Sequence, residues 1–541
     1  MVKLTIDNRP VEAAAGTTIL AAAAQVGIRV PTLCHLAARE PETSCYVCVV
    51  QIEGRRELSP ACATRVTAGM VVETQTEDVR RARQTALELL LSDHAGDCVG
   101  PCTLGCPAHL EIADFIAALR GGDGRSAAGL VVRGLALPAT LGHICPGFCE
   151  GACRRKALDE AVAIRELHRY VAETDLELTA PYDPPCAAAT GRRAAVVGAG
   201  PAGLAAALHL RQLGHECTVF EAQKELGGAL RTGLPEGRLP RKILDGEIER
   251  LRRLGVKFQT GEKLGENLSL DRLRAEYGAV LLALGTQKAG GPADPRAEHV
   301  AGSGAALDLA LVKSLGLETG PRGVKVEREA MATNLPGVFA AGNLVSGAQY
   351  AVHAVAGGRR AAVAMDAHLR GQALGHRPHE VHSLLGHLKE SEVARLRAFA
   401  DPAQREAAED LTAAQAAVEA RRCLDCDCRK RDNCCLRKLG EEYGAAAARY
   451  RGERREFERD ATHPEVIYEA GKCIQCGICL RLAEEVREPL GLTFIGRGFR
   501  VRVAGPFAAH LADALHEAAR RAAESCPTGA LALRRGARDG T

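Results

Sequence analysis

Residues 2–7 (VKLTID) and 47–52 (VCVVQI) alternate or run apolar, the pattern of strands. Between them, TTILAAAAQVG (17–27) reads as a short helix begun by a threonine cap. Windows 80–92 and 111–120 carry helical spacing, while GGDGRSAAG (121–129) reads as a flexible turn region. A proline-rich stretch, APYDPPCAAATGRR (180–193), reads as a linker. From 194 to 370 strand and helix patterns alternate. Residues 384–422 look helical and charged, as a connector does, and the last 75 residues gather around the final cysteines. No repeat of solenoid type is present.

Composition narrows the picture. A chain of 541 residues predicts several domains, and 46% apolar content supports ordinary cores. Net charge is +3, with no basic stripe interleaved with aromatics, so nucleic acid is not an expected partner. No uncharged apolar run is long enough to span a membrane. The chain opens MVKLTIDNRP, without a secretory leader, so a reducing cytoplasm is the expected compartment. Against that background 21 cysteines are the outstanding feature. A disulfide framework belongs to short secreted chains. Nineteen of these cysteines instead fall into five ordered groups, with only Cys186 and Cys217 apart. Thiolates at such spacing suit soft metals, above all iron in iron–sulfur clusters.

The first group is Cys34-x10-Cys45-x2-Cys48-x13-Cys62, a plant-type [2Fe–2S] arrangement with a wider first gap. Four buried structural cysteines, or zinc, are the alternatives. With the preceding TTILAAAAQVGIRVPTLCH it resembles the amino-terminal ferredoxin domain of the complex I G subunit. Iron-only hydrogenases and cytoplasmic formate dehydrogenases share that domain.

Next come His94-x3-Cys98-x3-Cys102-x3-Cys106-Pro and Cys145-Pro-x2-Cys149-x3-Cys153. LLSDHAGDC resembles the histidine-plus-cysteine segment of the same G subunits. From Cys106 onward, CPAHLEIADFIAALRGG and HICPGFCEGACRRKALDEAVAIRELHRYVAE resemble the amino-terminal domain of the glutamate synthase small subunit, shared with dihydropyrimidine dehydrogenase. The resemblance implies two [4Fe–4S] clusters on interleaved motifs, with a non-cysteine final ligand at the position of His168. The family's first motif has four cysteines; this one has three, with His94 near the missing place. The expected sets are His94, Cys98, Cys102 and Cys153 for one cluster, and Cys106, Cys145, Cys149 and His168 for the other. The alternative for either histidine is an ordinary surface residue.

Residues 194–222 place an apolar strand directly before Gly198-Ala199-Gly200-Pro201-Ala202-Gly203, then a helix, then a second strand ending at Glu221. The glycines permit a tight turn with backbone close to a pyrophosphate at the helix N-terminus, and the acid suits a ribose hydroxyl. GGALRTGLPEGRLPRKILDGEIERLRRLGVKF resembles the glutamate synthase small-subunit flavoproteins, which implies FAD rather than NAD and adds Gly228 and Arg241 as contacts. The closing flavin segment, TNLPGVFAAGNLVSGAQYAVHAVAGGRRAAVAMDAHL (333–369), adds Gly342 and Asn343. The family usually has aspartate at that last place; asparagine keeps the hydrogen bonds and loses the charge. Family members also carry an NADPH domain between the two flavin halves. Here residues 286–330 are too few for one, and GSGAA (302–306) lacks the flanking strand and acid. The alternative is a flavin domain kept as an empty remnant.

RRCLDCDCRKRDNCCLRKLGEEYGA (421–445) offers Cys423, Cys426, Cys428 and Cys434 for a further [4Fe–4S] cluster, with Cys435 spare and zinc a competitor. Cys473-x2-Cys476-x2-Cys479 with Cys526-Pro is a bacterial ferredoxin signature cut in half: Ala483 fills the fourth place of the first run. The four survivors are those of one cluster. The intervening GLTFIGRGFRVRVAGPF resembles the ferredoxin region of formate dehydrogenase and G-type chains.

The expected fold is multidomain, α/β and α+β. It comprises a [2Fe–2S] β-grasp ferredoxin (1–78), a helical domain with two [4Fe–4S] clusters (79–179) and a Rossmann-like FAD domain without an NAD(P)H insert (192–372). A helical linker (373–420), a cysteine-rich [4Fe–4S] segment (421–450) and a single-cluster ferredoxin-like domain (465–541) follow. The expected cofactors are FAD, one [2Fe–2S] and about four [4Fe–4S] clusters. The resemblances imply an electron-transfer subunit of a redox complex. It would lie between an NAD(P)H-oxidising flavoprotein of complex I F-subunit type and a catalytic formate dehydrogenase or hydrogenase partner, with electron bifurcation open to it. A stand-alone reductase and a scaffold with an empty flavin site are the other readings. No general acid or base for a substrate site is identifiable.

Overall fold

The computed structural model describes residues 1–37, 39–285, 309–346, 350–374, 380–408 and 410–535. Contacts divide the chain into two units. The first is built from Met1–Gly100, Pro378–Phe399 and Cys426–Thr541, the second from Pro101–Arg377 and Ala400–Asp425. The linear series of six segments read from the sequence is therefore regrouped: the first unit is assembled from three stretches far apart in the chain.

In the first unit a mixed five-stranded sheet runs in the order Arg9–Ala13, Val2–Ile6, Val71–Glu73, Val49–Ile52, Ser59–Pro60. Val2–Ile6 pairs parallel with Val71–Glu73; the other pairings are antiparallel. The helix Ile19–Gln25 packs on it through Ile19, Ala22 and Ala23, and Thr18 caps the helix by accepting from the Ala21 N–H. This is the β-grasp arrangement expected. The strand expected at 47–52 begins only at Val49, because Cys45 and Cys48 belong to the preceding loop. A helix, Glu77–Ser92, follows; its buried Arg83 donates to the Val49 carbonyl and the Tyr443 hydroxyl, both at 2.9 Å. That fork joins the amino-terminal sheet to the late segment of the same unit. The carboxy-terminal part is an antiparallel sheet of Arg459–Asp460, Val466–Glu469 and Leu531–Leu533, flanked by the helices Ile478–Glu485 and Ala519–Ser525.

The second unit opens with short helices. The stretch expected as a flexible turn at 121–129 is a turn only as far as Asp123, whose carboxylate accepts from the Ser126 N–H and starts the helix Gly124–Leu135. Ala127, Ala128, Val131, Val132 and Leu135 form its buried stripe; the glycines and serine at its start hid that spacing. A parallel sheet follows in the order Val338–Ala340, Ala279–Leu282, Arg193–Val197, Glu216–Glu221, Lys257–Thr260. The long helices Pro201–Gln212 and Ala351–Leu369 pack on one another. The expected connector at 384–422 is two helices: Glu390–Phe399 in the first unit and Ala413–Arg421 in the second. Arg422, buried, then donates to Glu419, Asp159 and the carbonyls of Ala161, Glu160 and Ala403, which fixes the backbone entering Cys423.

Candidate flavin and iron–sulfur sites

The first strand of the parallel sheet ends at Val197, and the chain turns at Gly198, whose φ is +107°. A Cβ there would meet the Ala283 carbonyl oxygen at 2.4 Å, and one on Gly203 would lie 1.9 Å from the Gly198 carbonyl oxygen. Only glycine fits either place. At Gly200, by contrast, a Cβ would meet nothing within 4 Å, so the turn opens at the start of the helix Pro201–Gln212, with Pro201 at its first position. Open space bounded by backbone at a helix N-terminus fits a pyrophosphate. Glu221 ends the second strand; its carboxylate accepts from Ala199 N–H at 2.7 Å and Gln223 N–H at 2.9 Å. Those bonds hold the acid at the turn and leave acceptor sites for a ribose hydroxyl. Gly228 (φ +51°) lies against Gly200, and Gly342 (φ +73°) against Ala202. Asn343 begins the short helix Asn343–Ser346. Gly358, not singled out by sequence reasoning, is the tightest point of the helix pair: a Cβ would stand 2.0 Å from the Ala202 carbonyl oxygen. The cradle therefore fits an FAD dinucleotide. The Arg241 guanidinium donates to the carbonyls of Leu230 and Leu234 and pairs with Glu236, bracing the loop behind Gly228.

In the first unit the thiols of Cys34 and Cys45 stand 3.4 Å apart, as do those of Cys48 and Cys62, and all four are buried. The hydrogen bond from Cys45 pulls the Cys34 thiol down to about 5, and that from Cys62 takes Cys48 to about 7; the other member of each pair is pushed up. Two close pairs match the two irons of a [2Fe–2S] cluster, each bound by two thiolates. Cys473, Cys476, Cys479 and Cys526 all line one pocket, with Tyr468 and Val503 on its wall. Burial pushes Cys476 up to about 12 and raises Cys473 and Cys479 as well. Metal binding releases such protons. Tyr468 escaped sequence reasoning: burial raises it far above the usual phenol, and its hydroxyl is hydrogen-bonded to Cys473. Hydrogen bonds of this kind tune a cluster's potential.

In the second unit, Cys106, Cys145 and Cys149 are mutual neighbours: burial first, then the charge of Cys106, raises Cys149 far above the usual thiol. Buried His168, on the helix Ile164–Leu176, is held at the Pro138 carbonyl, while its Nδ1 is buried without a partner. Burial takes its imidazole down to about 4, so it is neutral at pH 7. A neutral imidazole anchored through one nitrogen and free at the other is the form a metal ligand takes. Cys102, Cys153 and Cys423 pack against the same core.

Two of the expected groupings take residues from both units. His94 and Cys98 belong to the first unit, Cys102 and Cys153 to the second. Likewise Cys423 belongs to the second unit, Cys426, Cys428 and Cys434 to the first. In both motifs the chain passes from one unit to the other partway through the spacing. Cys435, the expected spare, is exposed. Among the described residues no three His, Cys, Asp or Glu side chains close on a single ion position.

Comparison with known proteins agrees with the order of these sites. Residues 1–77 match the 2Fe-2S iron–sulfur cluster binding domain family, and 74–180 match dihydropyrimidine dehydrogenase domain II, 4Fe-4S cluster. Residues 145–358 match the pyridine nucleotide-disulphide oxidoreductase family. The chain is thus an oxidoreductase carrying a 2Fe–2S domain, a 4Fe–4S domain and a Rossmann-type flavin domain in that order. It is similar to the NADP(+)-dependent formate dehydrogenase subunit beta of Moorella thermoacetica, 37% identical over 34% of this chain and 29% of the relative. It is also similar to the NAD-dependent dihydropyrimidine dehydrogenase subunit PreT of Salmonella typhimurium, 34% identical over 39% of this chain and 53% of the relative. The glutamate synthase [NADPH] small chain of Mycobacterium tuberculosis is 35% identical over 35% and 39% of the two chains. The matched region spans between 29% and 53% of these relatives' lengths. Among the described residues no single helix is long and apolar enough to cross a membrane.

Proposed function

We propose that this chain is the electron-transferring iron–sulfur flavoprotein subunit of a cytoplasmic redox complex. It relays electrons between an NAD(P)H-oxidising flavoprotein of complex I F-subunit type and a catalytic partner of formate dehydrogenase or hydrogenase type. FAD would lie on Gly198–Gly203 with Glu221, Gly228, Gly342 and Asn343 around it. Cys34, Cys45, Cys48 and Cys62 would hold the [2Fe–2S] cluster. Cys473, Cys476, Cys479 and Cys526 would hold one [4Fe–4S] cluster, and Cys106, Cys145, Cys149 and His168 another. Cys102, Cys153, Cys423 and Cys426 remain as cysteine ligands within a total of about four [4Fe–4S] clusters. When bound, FAD supplies the exchange between one-electron and two-electron steps. The protein's own part is to bury the thiols, exclude water and place hydrogen bonds such as that of Tyr468 at the cluster sulfurs.

The observation that carries this reading is the connection between the last two strands of the flavin sheet. Ala279–Leu282 and Val338–Ala340 are direct neighbours. Within the described residues their connection holds only the helix Leu309–Ser314 and the two-residue strands Thr319–Gly320 and Gly323–Val324. The GSGAA run and the rest of 286–308 lie outside the described residues. A nicotinamide domain needs more than one βαβ unit of roughly 30 residues. On this reading the flavin exchanges electrons through the clusters and a partner. Mixing the pure holoprotein anaerobically with NADH or NADPH should leave its flavin and cluster absorbance unchanged over minutes, and adding the nucleotide-oxidising subunit should bleach both. Bleaching by either nucleotide alone, at turnover rates, would refute the relay.

A further inference from the structure

His94, Cys98, Cys428 and Cys434 all belong to the first unit, and hydrogen bonds link the stretches that carry them. The Cys428 N–H points at the Cys98 carbonyl, 3.4 Å away, so the two ligand-bearing stretches lie backbone to backbone although 330 positions separate them. The Ser383 N–H donates to the Cys98 sulfur at 3.4 Å, and the Ser383 hydroxyl donates to the His94 carbonyl at 2.8 Å. On the other side, the Cys428 sulfur sits over Gly529, where a Cβ would come within 2.2 Å of it. The Cys434 sulfur lies 3.8 Å from the Pro527 carbonyl, which also accepts from the Cys435 N–H at 2.9 Å. Lys430 ties the loop between the two thiols down, donating to the carbonyls of Cys526 and Glu524. Cys98, Cys428 and Cys434 lie within electrostatic reach of one another.

The histidine is tied to the same stretches through its backbone and through Lys472. The backbone following it is pressed on the chain before Cys473: Ala95 N–H donates to the Gly471 carbonyl at 2.8 Å, and Gly96 leaves room for the Lys472 side chain, 2.4 Å from where its Cβ would be. His94 Nδ1 is buried with no hydrogen-bond partner. A buried imidazole nitrogen with nothing to bond is costly unless it has a ligand to meet. Lys472 is itself buried, ion-paired with Glu469, and its ammonium interacts with both His94 and Cys428. Lys472 thus places a buried cation near Cys98 and Cys428, where an anionic cluster would be bound.

We propose that His94, Cys98, Cys428 and Cys434 bind a single [4Fe–4S] cluster, so that one cluster site is split in the chain by the whole flavin-bearing unit. The residues before the excursion supply an imidazole and a thiolate; those after it supply two thiolates. The chain leaves the first unit after Gly100, returns for Pro378–Phe399, which supplies Ser383, and returns again at Cys426 with the last two ligands. The proposal rests on the reading of the chain as an iron–sulfur protein, but its test is independent of any partner. Iron and electron paramagnetic resonance would be measured on anaerobically purified full-length protein, with the [2Fe–2S] visible circular dichroism as a folding control. Cys98→Ser, Cys428→Ser and the double variant should each lose the same single cluster, about four irons, and the same resonance signal. A double variant that loses about eight irons, or a Cys428→Ser protein with its full iron complement, would overturn it. Should the serine variants lose the [2Fe–2S] signature too, His94→Cys decides. It should keep the iron count and shift one signal's g values; an unaltered spectrum would overturn the assignment. A chain that holds this cluster yet is bleached by NADPH alone would refute the relay and leave the cluster standing.

Discussion

Gly203→Val will purify without flavin. The valine Cβ would be built 1.9 Å from the Gly198 carbonyl oxygen, far inside contact distance, with the Val196 side chain on its other flank at 3.2 Å. Neither neighbour is the end of a flexible side chain, so the helix Pro201–Gln212 must lift from the strand that feeds it. Overpacking of this kind costs about 3 kcal/mol, near the upper end of its usual range. It also moves the helix N-terminus on which the pyrophosphate would rest. Flavin released by heat and read by fluorescence should be near zero for the variant and close to one per chain for the parent. The [2Fe–2S] absorbance, carried by the other unit, should remain. A variant with full flavin occupancy would show that the dinucleotide does not lie on this turn.

Glu392→Ala should cost about 3–5 kcal/mol, the range for removing one partner of a buried ion pair. Glu392 has no exposed side-chain surface, and both its oxygens are engaged by the Arg454 guanidinium, at 2.6 and 2.7 Å. Phe457 and Lys389 add backbone N–H bonds. Alanine would leave the Arg454 charge and two donors facing a cavity. Burial alone would raise this carboxyl, yet the Arg454 fork and the two N–H groups outweigh it and bring Glu392 down to about 2 from 4.5. A carboxylate depressed by folding stabilises above its unfolded value and stops doing so as it protonates. The contribution should therefore be complete above about pH 4.5 and disappear as pH falls toward 2. Urea titrations at pH 7 and pH 3 should show the parent and Glu392→Ala further apart at the higher pH. An equal gap at both would contradict the assignment.

What the sequence made legible was whatever spacing within a few residues encodes. The glycine turn, the loop around Cys45 and Cys48, and the Cys473–Cys479 run each place their glycines or cysteines by local geometry. Their partners arrive from far away, yet Cys62 and Cys526 could still be named because each ends a recognisable motif. The remaining cysteines could be named but not sorted. Cys98 and Cys102 are four positions apart and belong to different units, as do Cys423 and Cys428. Nothing in a linear spacing marks the residue at which the chain leaves a unit. Gly358 and Tyr468 were invisible for a related reason: each matters through a contact with Ala202 or Cys473 that only packing creates. Arg241 was named through a resemblance alone, and its bonds to the Leu230 and Leu234 carbonyls were legible only in the packed structure.

The central claim is that this chain is a many-centred electron carrier whose flavin is fed through iron–sulfur clusters. An anaerobic reductive titration of the holoprotein with dithionite, followed by absorbance and paramagnetic resonance, counts those centres directly. The account predicts uptake of about seven electrons per chain: two by FAD and one by each of about five clusters. Saturation at about two electrons, with only flavin bleaching, would mean that the cysteine sets hold no redox centres and would contradict it.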